Sequence, residues 1–306
     1  MSAKTTGQSL LHVAPASTHH EVVRLESDGI GDLVVAAAAV AGIRHERPES
    51  RVCLSVRPHL IEWARLFRDA HSIVRVGQEP RADRLYLPYR TYESREIPER
   101  GRLRRHQYYA EACATWPVWP RTHIPVDDRA WAANEDALGG HPAVIVPFAA
   151  HVIRNWPASY FAELIASLRD LGYTPVILDS PGDGGRTHPF GVWRYWGQQP
   201  GRVAALLDRA ALVVGNDSGM IHLAGALGRP TIAVCASVEG ESIYGFYPTV
   251  RVVQSTAPCS RCYWQSAGGY RRACNLGCAA LYGIPPQRVL QAIEACGPMA
   301  SSATAR

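Results

Sequence analysis

The sequence predicts an α/β protein built as two facing Rossmann-like domains with a cleft between them. Three observations carry that prediction. Short apolar, β-branched runs alternate with helical stretches, the pattern of parallel sheets covered by helices. The alternation occurs twice, on either side of a polar segment at 127–142 that ends in Gly139-Gly-His-Pro142 and reads as a domain boundary. Each half also offers a glycine-marked turn at a strand end, where such sheets collect their ligands. An N-terminal domain is expected over 20–135 and a C-terminal one over 141–297.

Composition sets the outer limits. With 306 residues, 47% of them hydrophobic, the chain can bury a large core and is sized for two ordinary domains. No apolar run approaches the roughly 20 residues that a membrane span needs, and residues 1–20 lack the apolar core of a signal peptide, so a cytoplasmic protein is expected. The formal charge of +5 rests on arginine, since Lys4 is the sole lysine. A guanidinium surface suits phosphates or carboxylates, and so modest an excess does not by itself imply nucleic acid. Eight cysteines in a cytosolic chain of this size are no disulfide framework, so close clusters are read as metal-site candidates.

In the first half, Glu21–Glu26 reads as the opening strand and Ser27-Asp-Gly-Ile-Gly-Asp32 as a glycine-rich turn into a helix over Leu33–Arg44. Gly29 and Gly31 permit the sharp turn and leave Asp32 at the helix entrance, pointing into the cleft. An ordinary helix-start role for Asp32 is the alternative. The spacing falls short of G-x-G-x-x-G, so a nicotinamide cofactor is disfavoured. Arg51–Val56 forms a second strand, Pro58–Arg68 a second helix, and Ser72–Val76 and Arg84–Leu87 further strands. Residues 89–105 mix Arg, Glu, Tyr and Pro and read as a solvated loop or helix face, with a basic acceptor-binding or membrane-surface patch as the alternative. His106–Ala114 is helical in pattern, and Trp116-Pro-Val-Trp-Pro120 cannot continue it.

The second half repeats the scheme. Ala143–Phe148 is a strand, 149–155 a loop carrying Arg154, Pro157–Leu171 an amphipathic helix, and Thr174–Leu178 the next strand. A loop at 180–189 and a helix over Val203–Ala210 lead to the stretch Ala211–Pro230. There an apolar run ends in Gly215-Asn-Asp-Ser-Gly219 and resumes as far as Gly228, which reads as a buried strand, a tight polar turn and a short helix that Ser218 can cap. Free N–H groups and the positive end of that helix favour an anion. His222 lies one turn in, and its side chain leans back toward the same mouth. The bland alternative leaves Asp217 and Ser218 as caps and His222 as a buried histidine. Thr231–Ala236 is a further strand, with the loop Ser237–Tyr244 facing the cleft, and Arg251–Ser255 is another.

Past that strand lie Cys259-Ser-Arg-Cys262 and Cys274-Asn-Leu-Gly-Cys278. Paired C-x2-C and C-x3-C spacings separated by a short loop match a tetrahedral thiolate site, structural zinc or iron, clamping the loop 258–278. Four thiolates would fill the shell, so the ion would be structural; reduced structural thiols are the alternative. Cys53 and Cys235 read as core, and Cys113 and Cys296 are unassigned.

Three motifs resemble glycosyltransferase family 9, the heptosyltransferase-like proteins of the two-domain GT-B fold. Ile30-Gly-Asp-Leu33 is similar to the family's Ser-x-Gly-Asp loop, with the serine displaced to Ser27. Arg154-Asn-Trp-Pro157 is similar to its Lys-x-Trp-Pro, with Arg for Lys. Gly215–Pro230 matches its Gly-x-Asp-(Ser/Thr)-Gly-x-x-His-Leu-Ala-x-Ala-Leu-Gly-x-Pro at every fixed position. The resemblance implies an inverting transferase that moves a sugar from an ADP-, GDP- or UDP-linked donor, with ADP-heptose favoured. The acceptor would be a hydroxyl on a glycan, a lipid-linked molecule such as lipopolysaccharide core, or a protein. Asp32 would be the general base. Arg154, the N–H groups around Ser218 and Gly219, and the helix dipole would neutralise the leaving diphosphate with no catalytic metal. Asp217 and His222 would orient the donor. The family's protein-modifying autotransporter heptosyltransferases carry a four-cysteine iron finger near this position, which makes that branch a candidate neighbour. A peripheral place at the inner membrane surface fits the resemblance, and nucleic acid is a disfavoured partner. Two other classes stay open. One is a metal-containing binding module that keeps the GT-B shape without turnover, acting on nucleic acid through Arg261, Arg271 and Arg272; the other is a nucleotide-sugar epimerase or hydrolase.

Overall fold

The computed structural model describes residues 19–99, 104–179, 192–265, 274 and 277–296. The predicted loop 180–189, Arg271 and Arg272 fall outside these residues. The first half contains β1 (His20–Arg24), α1 (Ile30–Glu46), β2 (Arg51–Val56), α2 (Ile61–Ala64), β3 (Ser72–Arg75), β4 (Arg84–Tyr86), α3 (Pro88–Glu99), α4 (Arg105–Ala112) and α5 (Val126–Ala133). The second contains β5 (Pro142–Val146), α6 (Ala158–Asp170), β6 (Thr174–Asp179), β7 (Trp193–Trp196), α7 (Pro200–Arg209), β8 (Leu212–Asn216), α8 (Gly219–Ala226), β9 (Thr231–Cys235), α9 (Gly240–Tyr244), β10 (Val250–Gln254), α10 (Ala279–Tyr282) and α11 (Pro286–Glu294).

The strands form two parallel sheets, ordered β3-β2-β1-β4 and β10-β9-β8-β5-β6-β7. Registers such as Val22 opposite Cys53 and Val144 opposite Val213 put β-branched and other apolar residues side by side, as in strands covered on both faces. In each sheet the chain builds outward from its first strand and then returns to that strand's other side. The strand order therefore reverses between β1 and β4 and again between β5 and β8. A crevice opens at the carboxyl ends of strands at such a point.

Helix α1 is apolar on every side, with Leu33–Ile43 buried without a break. A helix of that character has to be enclosed. One side of α1 covers its own sheet, and another packs against α8 of the second half. Helices α4 and α9 also meet across the halves. α5, from the polar segment read as a boundary, packs on α7, and Arg209 of α7 donates to the carbonyls of Ala132, Glu135 and Gly139. No described helix is long and apolar enough to cross a membrane.

Several predicted elements are corrected. Helix α1 begins at Ile30, three residues before Leu33, because the Leu33 amide already bonds the Gly29 carbonyl at 3.1 Å. The helix expected over Pro58–Arg68 is a 3-10 turn at Pro58–Leu60 followed by α2 alone. Its end is pulled out of helix because Phe67 pairs with Thr122 and the Arg68 amide bonds the Arg121 carbonyl. Residues 89–105 begin in α3, with Tyr92 buried in the core, so this stretch is not solely a solvated face. The loop expected over Ser237–Tyr244 contains α9, and β7 had no sequence counterpart.

Beneath β1, the buried Glu21 carboxylate pairs with Arg47 at 2.9 and 3.2 Å and accepts bonds from Ser50 and Tyr86 at 2.7 Å each. Burial pushes the Glu21 carboxyl up, but these bonds and the Arg47 charge more than offset it and hold the group below the usual carboxylate range. Removing one partner leaves a buried charge uncompensated, so Arg47→Ala is expected to destabilise the fold by about 3–5 kcal/mol. A depressed carboxylate contributes stability above its unfolded pKa and loses it as pH falls through the folded one. Urea unfolding should therefore show the Arg47→Ala deficit at neutral pH and a smaller one below about pH 4.

Candidate active site

Both crevices open into one cleft of about 400 Å³ between the halves. The turn after β1 supplies Asp28–Asp32, α3 and α4 supply Tyr89, Tyr92 and Arg105, and the loop after β5 supplies Phe148, Ala149, Ala150 and Arg154. The turn after β8 brings Asp217–Met220 and His222. Asp32, Arg154, Asp217, Ser218, Gly219 and His222, read from separate motifs, thus line a single cavity.

On the first wall Asp32 sits in the opening turn of α1 and its carboxylate is held from three directions. Ser27 Oγ donates to Oδ2 at 2.6 Å, Tyr109 OH donates to Oδ1 at 2.9 Å, and Arg105 Nη1 lies 3.5 Å from Oδ1. Ser27 Oγ also accepts the Gly29 amide at 3.0 Å, which ties the turn to the carboxylate it presents. The displaced serine thus reaches the acid from five residues upstream. Arg105 lies over the Tyr92 ring, 4.6 Å from its centroid, and donates to the Tyr92 hydroxyl at 2.6 Å. Burial, and then the Asp32 charge, drive the Tyr109 phenol well above its usual range, so it remains a donor.

On the second wall Arg154 Nε lies 3.5 Å from Asp217 Oδ2. The loop carrying Arg154 is pinned by two asparagines. Asn216 accepts the Trp156 amide at 2.9 Å and donates to the Pro147 carbonyl at 2.6 Å, while Asn155 accepts the Ala149 amide at 2.7 Å. Tyr244 OH donates to Asp217 Oδ1 at 2.5 Å and accepts the Ser218 amide at 3.1 Å. Ser218 occupies the N-cap position of α8, yet its hydroxyl makes no capping bond. Its extended backbone puts the amide on Tyr244 instead, so the Ser218 N–H expected to meet an anion is already engaged. Ser218, Gly219 and Met220 at the amino end of the helix all line the cleft.

The two walls meet where glycine is required. A Cβ on Gly219 would lie 2.8 Å from Ile30 Cβ and 2.9 Å from the Gly31 amide, and one on Gly31 would lie 2.8 Å from His222 Cδ2. The amino ends of α1 and α8 therefore touch backbone to backbone, with the buried His222 ring against Gly31. Burial, then Arg105 and Arg154, hold His222 well below the usual imidazole range, so it is neutral.

The cysteine pairs present a looser picture. Cys262 and Cys278 are buried, Cys274 is half-buried and Cys259 is exposed. Burial raises the Cys278 thiol, and the neighbouring Cys262 and Cys274 raise it further, so three of the four lie in one neighbourhood. Among the described residues no group of three or more His, Cys, Asp or Glu side chains is arranged to hold a metal ion. Cys53 and Cys235 are core residues, as read from sequence, and Cys113 is buried with its thiol pushed up to about 12 by burial.

Sequence patterns missed Arg105, Tyr109, Asn216, Tyr244, Tyr247 and His106. Only Asn216 lies inside a motif, and the others come from segments whose spacing has no link to the turns they contact.

Residues 201–267 match the family model for glycosyltransferase family 9 (heptosyltransferase). Lipopolysaccharide heptosyltransferase 2 of Escherichia coli K12 is 27% identical over 201 residues, 58% of this chain and 53% of that protein, so the match spans about half the length of this curated relative. The chain is similar to the heptosyltransferases of glycosyltransferase family 9. Solved structures bear out the GT-B fold. E. coli ADP-heptose lipopolysaccharide heptosyltransferase II superposes with a TM-score of 0.68 at 18% identity, covering 90% of this chain and 98% of that one. A family 9 glycosyltransferase from Veillonella parvula gives 0.70 at 15% identity, covering 91% and 97%. An iron-containing dodecameric glycosyltransferase from enterotoxigenic E. coli gives 0.69 at 16% identity, covering 91% and 76%.

The contact of Gly219 with Ile30 and Gly31 leaves no room for a methyl group. Forcing atoms into a packed contact typically costs about 1–3 kcal/mol, so Gly219→Ala is expected to lower stability by that amount in chemical denaturation. An unchanged midpoint would mean that the two helix ends are not in contact in solution.

Proposed function

We propose that the protein is an inverting glycosyltransferase that moves a sugar, heptose by preference, from a nucleotide-sugar donor to an acceptor hydroxyl. The observation that carries this reading is the opposition of Asp32, on the first wall, to Arg154 and the Gly219 helix end on the second, across one cleft. The donor would lie in the C-terminal half, residues 141–297, and the acceptor would enter from the N-terminal half, residues 20–135.

Asp32 Oδ1 is already engaged by Tyr109 and Arg105, whereas Oδ2 takes a single bond from Ser27. Oδ2 therefore has the more available lone pair for the acceptor proton. As the hydroxyl oxygen forms its bond to the anomeric carbon, the bond to the diphosphate breaks on the opposite face and the configuration inverts. Negative charge builds on the leaving diphosphate. Arg154 and the amide groups at Gly219 would stabilise it, oriented before the reaction begins. Asp217, fixed by Tyr244, would keep Arg154 in place, and His222 would contact the donor. ADP-heptose is favoured because the curated relative is a lipopolysaccharide heptosyltransferase and a structural neighbour is named for ADP-heptose. A glycan, a lipopolysaccharide core or a protein would be the acceptor, and the cytoplasmic face of a membrane is a fitting location.

The same reading includes a structural zinc or iron held by Cys259, Cys262, Cys274 and Cys278. Its support is the spacing, the neighbourhood of three of the thiols and an iron-containing relative of similar fold. Cys259 would have to turn inward to complete the shell. The ion would pin the loop and leave the chemistry to Asp32. Protein purified without added metal is expected to carry about one ion per chain, lost in the Cys259→Ser/Cys262→Ser variant.

Turnover tests the central reading. Asp32→Ala is expected to leave nucleotide affinity nearly unchanged and lower kcat by about 10²- to 10⁴-fold, the usual worth of a general base. Arg154→Ala is expected to weaken ADP binding in a thermal-shift titration as well as kcat. Failure of every nucleoside diphosphate and nucleotide sugar to raise the melting temperature would remove the transferase reading, since a ligand at about 100 times its Kd adds about 2.7 kcal/mol.

A further inference from the structure

Behind the cleft, three buried polar side chains form a chain across the two halves. The Tyr247 hydroxyl lies 2.9 Å from His106 Nε2 and 3.2 Å from His222 Nδ1. His106 belongs to α4 of the first half; Tyr247 and His222 belong to the second. All three side chains are almost wholly enclosed, and His106 stacks on Phe246 with ring centroids 4.3 Å apart. Burial holds both imidazoles well below their usual range, so each carries a single ring proton.

One phenolic proton between two neutral imidazoles fixes a direction. His106 Nδ1 is shielded from solvent and has no hydrogen-bond partner among the described residues. A proton placed there would make a buried, orphaned N–H, which is rarer in proteins than an under-used acceptor. His106 therefore carries its proton on Nε2 and donates to the Tyr247 oxygen. Tyr247 in turn donates to His222 Nδ1, which leaves the His222 proton on Nε2. That edge of the ring faces Gly31, on the cleft side.

We infer that Tyr247 and His106 are positioning residues that lock His222 in one tautomer, so that its Nε2–H is offered to the cleft as a neutral hydrogen-bond donor. A fixed donor selects an oxygen acceptor, of the kind a phosphate or sugar hydroxyl presents. The identification of that oxygen with the nucleotide-sugar donor rests on the proposed function; the tautomer does not. The chain also connects the walls mechanically, because α4 carries both His106 and the Asp32 partners Arg105 and Tyr109. The contact that sets His222 thus originates on the helix that orients the acid.

The tautomer is read directly by two-bond proton–nitrogen correlations on protein with ¹⁵N-labelled histidine at pH 7, without ligand, the two rings being assigned with His106→Gln and His222→Gln variants. His222 is expected to show a protonated Nε2 and an unprotonated Nδ1. A His222 protonated on Nδ1, or on both nitrogens, would overturn the inference. Tyr247→Phe removes one oxygen and keeps the ring packing. It is expected to leave a folded protein in which His222 samples both tautomers and ADP binds about 3- to 10-fold more weakly, the worth of one hydrogen bond. If Tyr247→Phe leaves the His222 pattern unchanged, the lock is refuted even though the wild-type tautomer is as expected; should the variant fail to fold, His106→Leu, which removes the donor to the Tyr247 oxygen, supplies the same readout. If the wild-type protein shows the expected pattern and yet binds no nucleotide, the proposed function fails and the tautomer lock stands.

Discussion

The close approach of the amino ends of α1 and α8 is the contact on which the rest of the cleft depends. Two helix ends would ordinarily be kept apart by side chains and by like partial charges, since both present the positive end of a helix dipole. Glycine at 31 and 219 removes the first obstacle. The second is moderated by the carboxylates of Asp32 and Asp217, one at each turn, and each of these is in turn paired with an arginine. The cleft that results has two helix ends and two acid–arginine pairs around a common space. An anionic ligand entering it would find positive groups on both walls without a large net charge to draw in other polyanions.

The polar groups behind that space divide by the rigidity they supply. Tyr109, Ser27 and Arg105 hold the Asp32 carboxylate, and Tyr244 ties Asp217 to the Ser218 amide. Asn216 pins the loop that carries Arg154. Most of these supports are neutral hydroxyls or amides. In a low-dielectric setting they orient a charged side chain without adding a competing charge, and their geometry is set before any ligand arrives. The neutral imidazoles of His106 and His222 follow the same rule, because burial next to Arg105 makes a second positive charge costly.

Much of the architecture was legible in the chain. The period of the apolar residues marks β1, β2, β5, β8 and β9 within a residue or two, because a strand buried on both faces has to be continuously apolar. The turns at Ser27–Asp32 and Gly215–Gly219 were legible for a related reason, since glycine beside acids and small hydroxyls at a strand end has few other uses. The failures are equally physical. α2 was overestimated because the pairing of Phe67 with Thr122 is a long-range event that helix propensity does not record. The stretch 89–105 looked solvated because its charges dominate the composition, while Tyr89, Tyr92 and Arg105 face the core or the cleft.

Sequence alone therefore determined the two-fold α/β plan and the local backbone setting of Asp32, Arg154, Asp217, Gly219 and His222, because each resides in a short motif whose backbone conformation follows from neighbouring residues. Tertiary structure decided which groups attend them. His106 and Tyr109 lie more than seventy residues from the turn at Asp32, and Tyr247 follows a short helix with no distinguishing pattern. Their roles arise only when α4 is laid against α1 and α9, and a hydrogen bond across such a distance depends on the packing of whole helices, which no local spacing encodes. The hydroxyl of Ser218 illustrates the same point in reverse. Its local pattern called for a cap, and the nearby Tyr244 ring, brought in by the next βα unit, turned its amide to another use.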